Sequence, residues 1–277
     1  MGGGVQIKKP AQVIAMRKAG LVVAQVLARM ADEVRPGVTT GQLDSIARQM
    51  LAERGASSNF LNYGADWGYP PYPGVACISP NEVIVHGIPG DRELAEGDIV
   101  SFDFGAIIDG WHGDAARTFR VGAVSPEVDA LVETTRESMW AGIGAMRLGG
   151  RVGDISHAIE QAIVARGDYG ITREYTGHGI GTEMHQDPDV PNYGRAGRGR
   201  KITEGLVLAI EPMVVLGTED SVTLDDDWTV VTRDGKWAAH WENTVTATPD
   251  GLWVLTELDG GEAELAARGL PFGPLSD

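Results

Sequence analysis

Residues 98–119 read Asp-Ile-Val-Ser-Phe-Asp-Phe-Gly-Ala-Ile-Ile-Asp-Gly-Trp-His-Gly-Asp-Ala-Ala-Arg-Thr-Phe, and no other stretch restricts the fold as tightly. Two strand-like runs flank Asp109-Gly110, a dipeptide suited to a two-residue hairpin turn because both central positions need positive φ. Closing that turn makes Ile108 face Trp111, Gly105 face Asp114 and Asp103 face Ala116. Side chains alternate along a strand and paired residues share a face. Asp103 and Asp114 therefore become diagonal neighbours, roughly 7–8 Å apart or somewhat less between Cβ atoms. Phe102, Phe104 and Ile108 point the other way, into apolar packing. A slip of one residue would bury both acids without partners, so the register is well specified. Two carboxylates side by side on a half-buried sheet repel each other and lose hydration, which requires a shared proton or a bound cation. A hairpin with a simply wet acidic face is the plain alternative, and the rest of the chain must decide.

Lys and Arg total 23 against 39 Asp and Glu, a formal charge of −16. Such a surface repels phosphate backbones and argues against DNA as a partner. One local exception, residues 195–201, interleaves three Arg and a Lys with Gly and reads as a solvated loop. Apolar content of 43% over 277 residues is ordinary for a globular chain able to bury a sizeable core. The lone Cys77 cannot form an internal disulfide, the N-terminus lacks an apolar segment, and no run is expected to reach membrane-span length. The expectation is a cytoplasmic protein with no membrane partner.

Apolar spacing predicts helices over residues 13–30 and 41–54, the second started by Thr39-Thr40 and stopped by Gly55. Residues 55–77 form a loop dense in Gly, Pro and Tyr, too long for mere connection and hence a candidate binding loop. Strand and turn follow over 75–88, and a helix over 128–146 behind Ser125-Pro126. The plan then recurs. Residues 147–167 overlay residues 35–55 without a gap, pairing Arg35 with Arg147, Gly37 with Gly149, Gly41 with Gly153 and Gln49 with Gln161. Likewise Glu96-Gly97-Asp98-Ile99-Val100-Ser101-Phe102-Asp103 resembles Glu204-Gly205-Leu206-Val207-Leu208-Ala209-Ile210-Glu211, a carboxylate closing each strand. A second Asp-Gly hairpin, at Asp234-Gly235, would set Glu242 opposite Asp227 and next to Trp228. The expected architecture is α+β, with duplicated halves of about 10–122 and 125–256 related by a pseudo-two-fold. Together they make one domain over 10–258, between a short leader (1–9) and a C-terminal tail (259–277). Function would sit between the halves.

Four carboxylates, Asp103, Asp114, Glu211 and Glu242, have histidine partners to hand. The run Thr176-Gly177-His178-Gly179-Ile180-Gly181-Thr182-Glu183-Met184-His185 surrounds two of the six His with glycines that permit close approach. His86-Gly87-Ile88 precedes the first hairpin much as His178-Gly179-Ile180 precedes the second sheet. Carboxylates with an imidazole suit Mn, Fe, Co or Zn. Two such ions about 3.5–4 Å apart can share carboxylates, polarise a scissile carbonyl and supply a nucleophile near neutral pH. No serine elbow or catalytic Cys arrangement competes.

The ordered set His86-Gly-Ile-Pro, Asp103, Asp114 within His-Gly-Asp, His178 within Gly-His-Gly-Ile-Gly, His185, Glu211 within Ile-Glu-Pro-Met and Glu242 within Trp-Glu-Asn-Thr resembles a type I methionine aminopeptidase of the pita-bread fold. The match runs from the first helix to about Leu255. The resemblance implies a central curved antiparallel sheet flanked by helices, and two divalent metal ions (Co, Mn, Fe or Zn). Asp103 would bind one ion, His178 and Glu211 the other, and Asp114 and Glu242 would bridge. His185 would hydrogen-bond the substrate, His86 would orient it, and Glu211 would handle the proton. Tyr69, Tyr72, Cys77, Met184 and Trp228 resemble the lining of the family's methionine pocket, though residues 62–68 make a longer loop than is usual there. The implied substrates are nascent polypeptide N-termini beginning with Met, met near the ribosome exit region by a monomeric enzyme.

Prolidases and aminopeptidase P share this metal set by resemblance but usually carry a whole domain ahead of it, and here the first helix begins near residue 10. Type II methionine aminopeptidases have a helical insertion between the stretches holding His178 and Glu211, for which the 33 positions here are too few. A metal-free binding protein of the same fold is disfavoured because unused buried acids are costly.

Overall fold

The computed structural model describes residues 4–276. The strands Ile99–Ile108 and Trp111–Arg120 pair antiparallel in the expected register, with Ile108 opposite Trp111, Gly105 opposite Asp114 and Asp103 opposite Ala116. Asp109 and Gly110 turn the chain at φ 51° and 78°, the positive values that the dipeptide was expected to supply. On the face away from the acids, Phe102 and Phe104 are fully buried with Leu27, Leu43 and Val100.

Two helices cover that face. Helix α1 (Pro10–Ala31) begins three residues before the expected start, Pro10 being well suited to the first helical turn. Helix α2 (Thr40–Arg54) is capped as read, since Thr39 accepts from Gln42 N and Gly55 ends the helix at φ 61°. One expectation is overturned here. At 22 residues, α1 is long and apolar enough to cross a membrane by length and composition. Its Val13, Met16, Val23, Val26 and Met30 are instead buried inside the protein, which accounts for an apolar surface wider than one face. A Cβ at Gly20 would lie 2.1 Å from the Leu255 carbonyl oxygen. Gly20→Ala should therefore destabilise by about 2–3 kcal/mol, seen as a lower urea midpoint at unchanged m.

The second half repeats the first. Helix α3 (Pro126–Ala145) starts behind Ser125, which accepts from Val128 N, and helix α4 (Val152–Val164) follows it. Matched glycines share backbone conformation, with Gly37 and Gly149 at φ 85° and 82°, and Gly97 and Gly205 at 91° and 80°. Even the isolated bridges correspond, Thr39 with Glu93 and Arg151 with Lys201. A second core gathers Trp140, Ile155, Ile159, Leu208, Ile210 and Val245. Within it Val207–Ile210 pairs antiparallel with Gly177–Gly179 and with Asn243–Thr248. The fold is α+β.

The second Asp-Gly turn differs from expectation. Gly235 does turn the chain at φ 72°, but Val230–Thr232 pairs with Ser221–Thr223 and Val83–Val85, whereas Ala238–His240 pairs with Met213–Val215. Glu242 is thus not opposite Asp227. Its backbone exchanges hydrogen bonds with Ala116, at 2.9 and 3.4 Å. Turn chemistry made the reversal, but burial of Met213, Val215 and Ala238 in one cluster chose the partner strand.

The segment expected as a tail carries helix α5 (Glu262–Ala267), whose Leu265 is fully buried, and Phe272 packs on the cores beyond it. At the other end Lys8 N donates to Gly205 O, and Gln6 Oε1 accepts from Thr182 N.

Candidate metal centre

Strand register alone brings the acids together. Asp103 lies opposite Ala116, and Ala116 opposite Glu242, while Asp114 shares Ala116's face by alternation. In the other half His178 pairs with Ala209 and Ile210 with Asn243, so one further step sets Glu211 beside Glu242 on the face of His178. Thr244 fastens the two halves at this point. Its hydroxyl donates to Asp114 O at 2.8 Å and accepts from Asp114 N at 3.2 Å. On the reverse face Arg117 donates to Asn243 Oδ1, to Glu257 and to the Glu242 carbonyl, and its charge partly offsets the rise of the Glu242 carboxyl.

All five side chains meet at one place. Ligand atoms of Asp114, His178 and Glu242 lie within 4.8 Å of one another, and His178 Nε2 is 3.4 Å from Glu211 Oε1. Asp103 Oδ1, Asp114 Oδ1 and Glu242 Oε1 are buried without a hydrogen-bond partner. Burial, and then the neighbouring acids, push the Asp103, Glu211 and Glu242 carboxyls well above their usual range; burial raises Asp114 as well. His178 is depressed to about 4 by burial, so its ring is neutral. Its Nδ1 lies 3.0 Å from the Gly179 carbonyl, which can only accept, so the ring hydrogen sits on Nδ1 and Nε2 presents a lone pair.

These features fit a divalent cation. Orphaned buried oxygens are costly unless something positive satisfies them, and a bare imidazole nitrogen among carboxylates is the donor set that such ions prefer. Metal addition should then stabilise the protein strongly, by roughly 2.7 kcal/mol at a free ion concentration one hundred times Kd. Differential scanning calorimetry with and without chelator would show the shift, and Asp114→Asn should abolish it.

The acids line a cavity of about 350 Å³. His86, Tyr72, Cys77, Met184, His185 and Trp228 also line it. His86 stands at φ 58°, a left-handed position that turns its ring toward Trp228 with centroids 6.1 Å apart. Tyr72, Cys77, Met184 and Phe60 form a single buried apolar cluster. Tyr69 departs from expectation. It is 57% exposed and does not line the cavity, its ring 6.1 Å from that of Trp228 just beyond a short turn over Ala65–Trp67. Tyr63 takes the wall instead.

Sequence reasoning also missed Phe60 and His240. His240 Nε2 lies 3.4 Å from Glu211 Oε2, and its position two residues before Glu242, on the same face of an extended chain, was a usable signal. Tyr63 and Phe60 lie in an irregular loop where no periodicity marks the inward side chains.

A metallopeptidase is the class that this fold and donor set define, and the chain belongs to metallopeptidase family M24, matched over residues 14–249. Within the family it groups with the methionine aminopeptidases. It is 51% identical over 248 residues to methionine aminopeptidase 1 of Mycobacterium tuberculosis, covering 87% of this chain and 91% of that protein. A methionine aminopeptidase of Clostridium acetobutylicum is 47% identical over 251 residues, covering 90% and 98%. Among solved structures, the methionine aminopeptidase of Thermotoga maritima superposes with a TM-score of 0.87 at 38% identity, covering 91% of this chain and 99% of that one.

Proposed function

We propose that the protein hydrolyses the first peptide bond of polypeptides beginning with Met, releasing methionine when the second residue is small. The observation that carries this reading is the gathering of unpartnered acids at the edge of a cavity walled by Cys77, Met184 and aromatic rings. A thioether against such rings makes a favourable contact, and a cavity of this size is suited to one side chain of that length.

In this reading Asp103, Asp114, His178, Glu211 and Glu242 would hold two divalent ions; Co, Mn, Fe and Zn all suit the donors. When bound, such ions polarise the scissile carbonyl and lower the pKa of water. The chain's own groups do the rest. Trp228, Tyr72 and Cys77 enclose the methionine side chain and exclude water. His86 orients the substrate, and His185 donates a hydrogen bond to the oxygen that becomes negative as the carbonyl is attacked. Glu211 takes the proton of the attacking water on a carboxylate oxygen and passes it to the departing amine. Residues 10–258 act as one catalytic domain, its core closed by the C-terminal segment that packs on it. The substrates are nascent chains emerging from the ribosome in the cytoplasm, and the enzyme works as a monomer.

Met-Ala-Ser and Met-Leu-Ser peptides, offered with Mn, Co or Fe, test the proposal. Cleavage of the first in strong preference to the second is expected. Cleavage of X-Pro peptides instead would place the activity with the prolidases, and inactivity with every metal would mean a binding protein.

A further inference from the structure

Two imidazoles stand side by side in the cavity, His178 and His185, with ring centroids 4.4 Å apart. Their Nδ1 atoms have different partners. His178 Nδ1 meets the Gly179 carbonyl, an acceptor, whereas His185 Nδ1 lies 2.5 Å from the hydroxyl of Tyr63. A phenol carries its proton at neutral pH and can donate it. Of the two neutral groups the phenol is much the stronger acid, so the contact is held in the O–H to N sense. Tyr63 O–H donating to Nδ1 leaves the neutral His185 ring with its hydrogen on Nε2.

We infer that Tyr63 is a positioning residue that holds His185 as an Nε2–H donor, so that neighbouring rings are kept in opposite tautomers, one a ligand and the other a donor. This rests on the proposed role of His185 toward the reacting carbonyl. The loop is built to keep the hydroxyl in place. Asn62 N donates to Tyr72 O at 2.9 Å and Tyr72 N to Tyr63 O at 3.0 Å, a short ladder that fastens the loop base to the cavity wall. Trp67 packs edge-on against the Tyr63 ring, with centroids 4.9 Å apart. Gly64, at φ 85°, lets the backbone lie against Trp228, where a Cβ would come within 2.7 Å of the indole.

Tyr63→Phe keeps the ring and removes only the hydroxyl, so the wall and the fold should survive. Nitrogen-15 NMR of the Zn-loaded protein with labelled histidine reads the tautomer directly. The wild type should show His185 protonated at Nε2, and Tyr63→Phe should give averaged nitrogen shifts. On Met-Ala-Ser, Tyr63→Phe should lower kcat on the order of tenfold, the weight of one hydrogen bond, with KM within about twofold. In a His185→Gln background, whose amide donor has no tautomer, the same change should cost less than about twofold. A hydrogen on His185 Nδ1 in the wild type, an unchanged spectrum in Tyr63→Phe, or an undiminished kcat loss in the glutamine background would each overturn the assignment. Loss of all activity on Met-Ala-Ser in a wild type with the expected spectrum would refute the proposed reaction while leaving the tautomer assignment supported.

Discussion

Glu242→Gln should lower kcat/KM for Met-Ala-Ser by on the order of a thousandfold at saturating Mn, while the metal-stripped protein becomes about 1 kcal/mol more stable. The two effects have one cause. Glu242 is 2% exposed, one of its oxygens lacks any partner, and burial first, then Asp114, Glu211 and Asp103, push its carboxyl upward against the pull of Arg117. An amide of the same shape relieves that repulsion but cannot neutralise shared cations. Activity assays beside calorimetry in chelator would read both. A variant retaining activity within tenfold of the wild type would contradict the assigned role.

His185→Ala should reduce kcat by about a hundredfold to a thousandfold, the usual loss when one donor to a developing oxyanion is removed. Its ring lines the cavity and packs edge-on to His178, yet it lies outside the converging group of Asp114, His178 and Glu242, and its Nδ1 is taken by Tyr63. Metal affinity should therefore stay close to that of the wild type. Steady-state kinetics with titration calorimetry of Mn would separate the two possibilities. A large fall in affinity with little effect on kcat in the metal-saturated enzyme would make His185 a ligand.

The first hairpin was legible because three signals agreed: an Asp-Gly turn, a period of two, and Phe102 and Phe104 demanding one face. The repeat was legible through glycines whose positive φ allows few substitutes, Gly37 with Gly149 and Gly97 with Gly205. The partner of Glu242 was not. A turn dictates where the chain reverses, but which ladder each strand joins was set by long-range burial around Met213 and Val215. Tyr63 was hidden for a related reason, since an irregular loop has no repeating face and its inward side chains are chosen by contacts with Trp228 and His185. The length and apolar character of helix α1 were underread, since burial on more than one face gives a core helix the composition of a membrane span.

Acids from two halves of a doubled chain gather where a pair of cations would be held. Anomalous diffraction at the manganese edge, from crystals grown with that ion, measures this directly. Two peaks about 3.5–4 Å apart are expected. Each should lie roughly 2.0–2.3 Å from its ligand atoms among Asp103, Asp114, His178, Glu211 and Glu242. A cavity without anomalous peaks at saturating manganese, or peaks held by other residues, would contradict it.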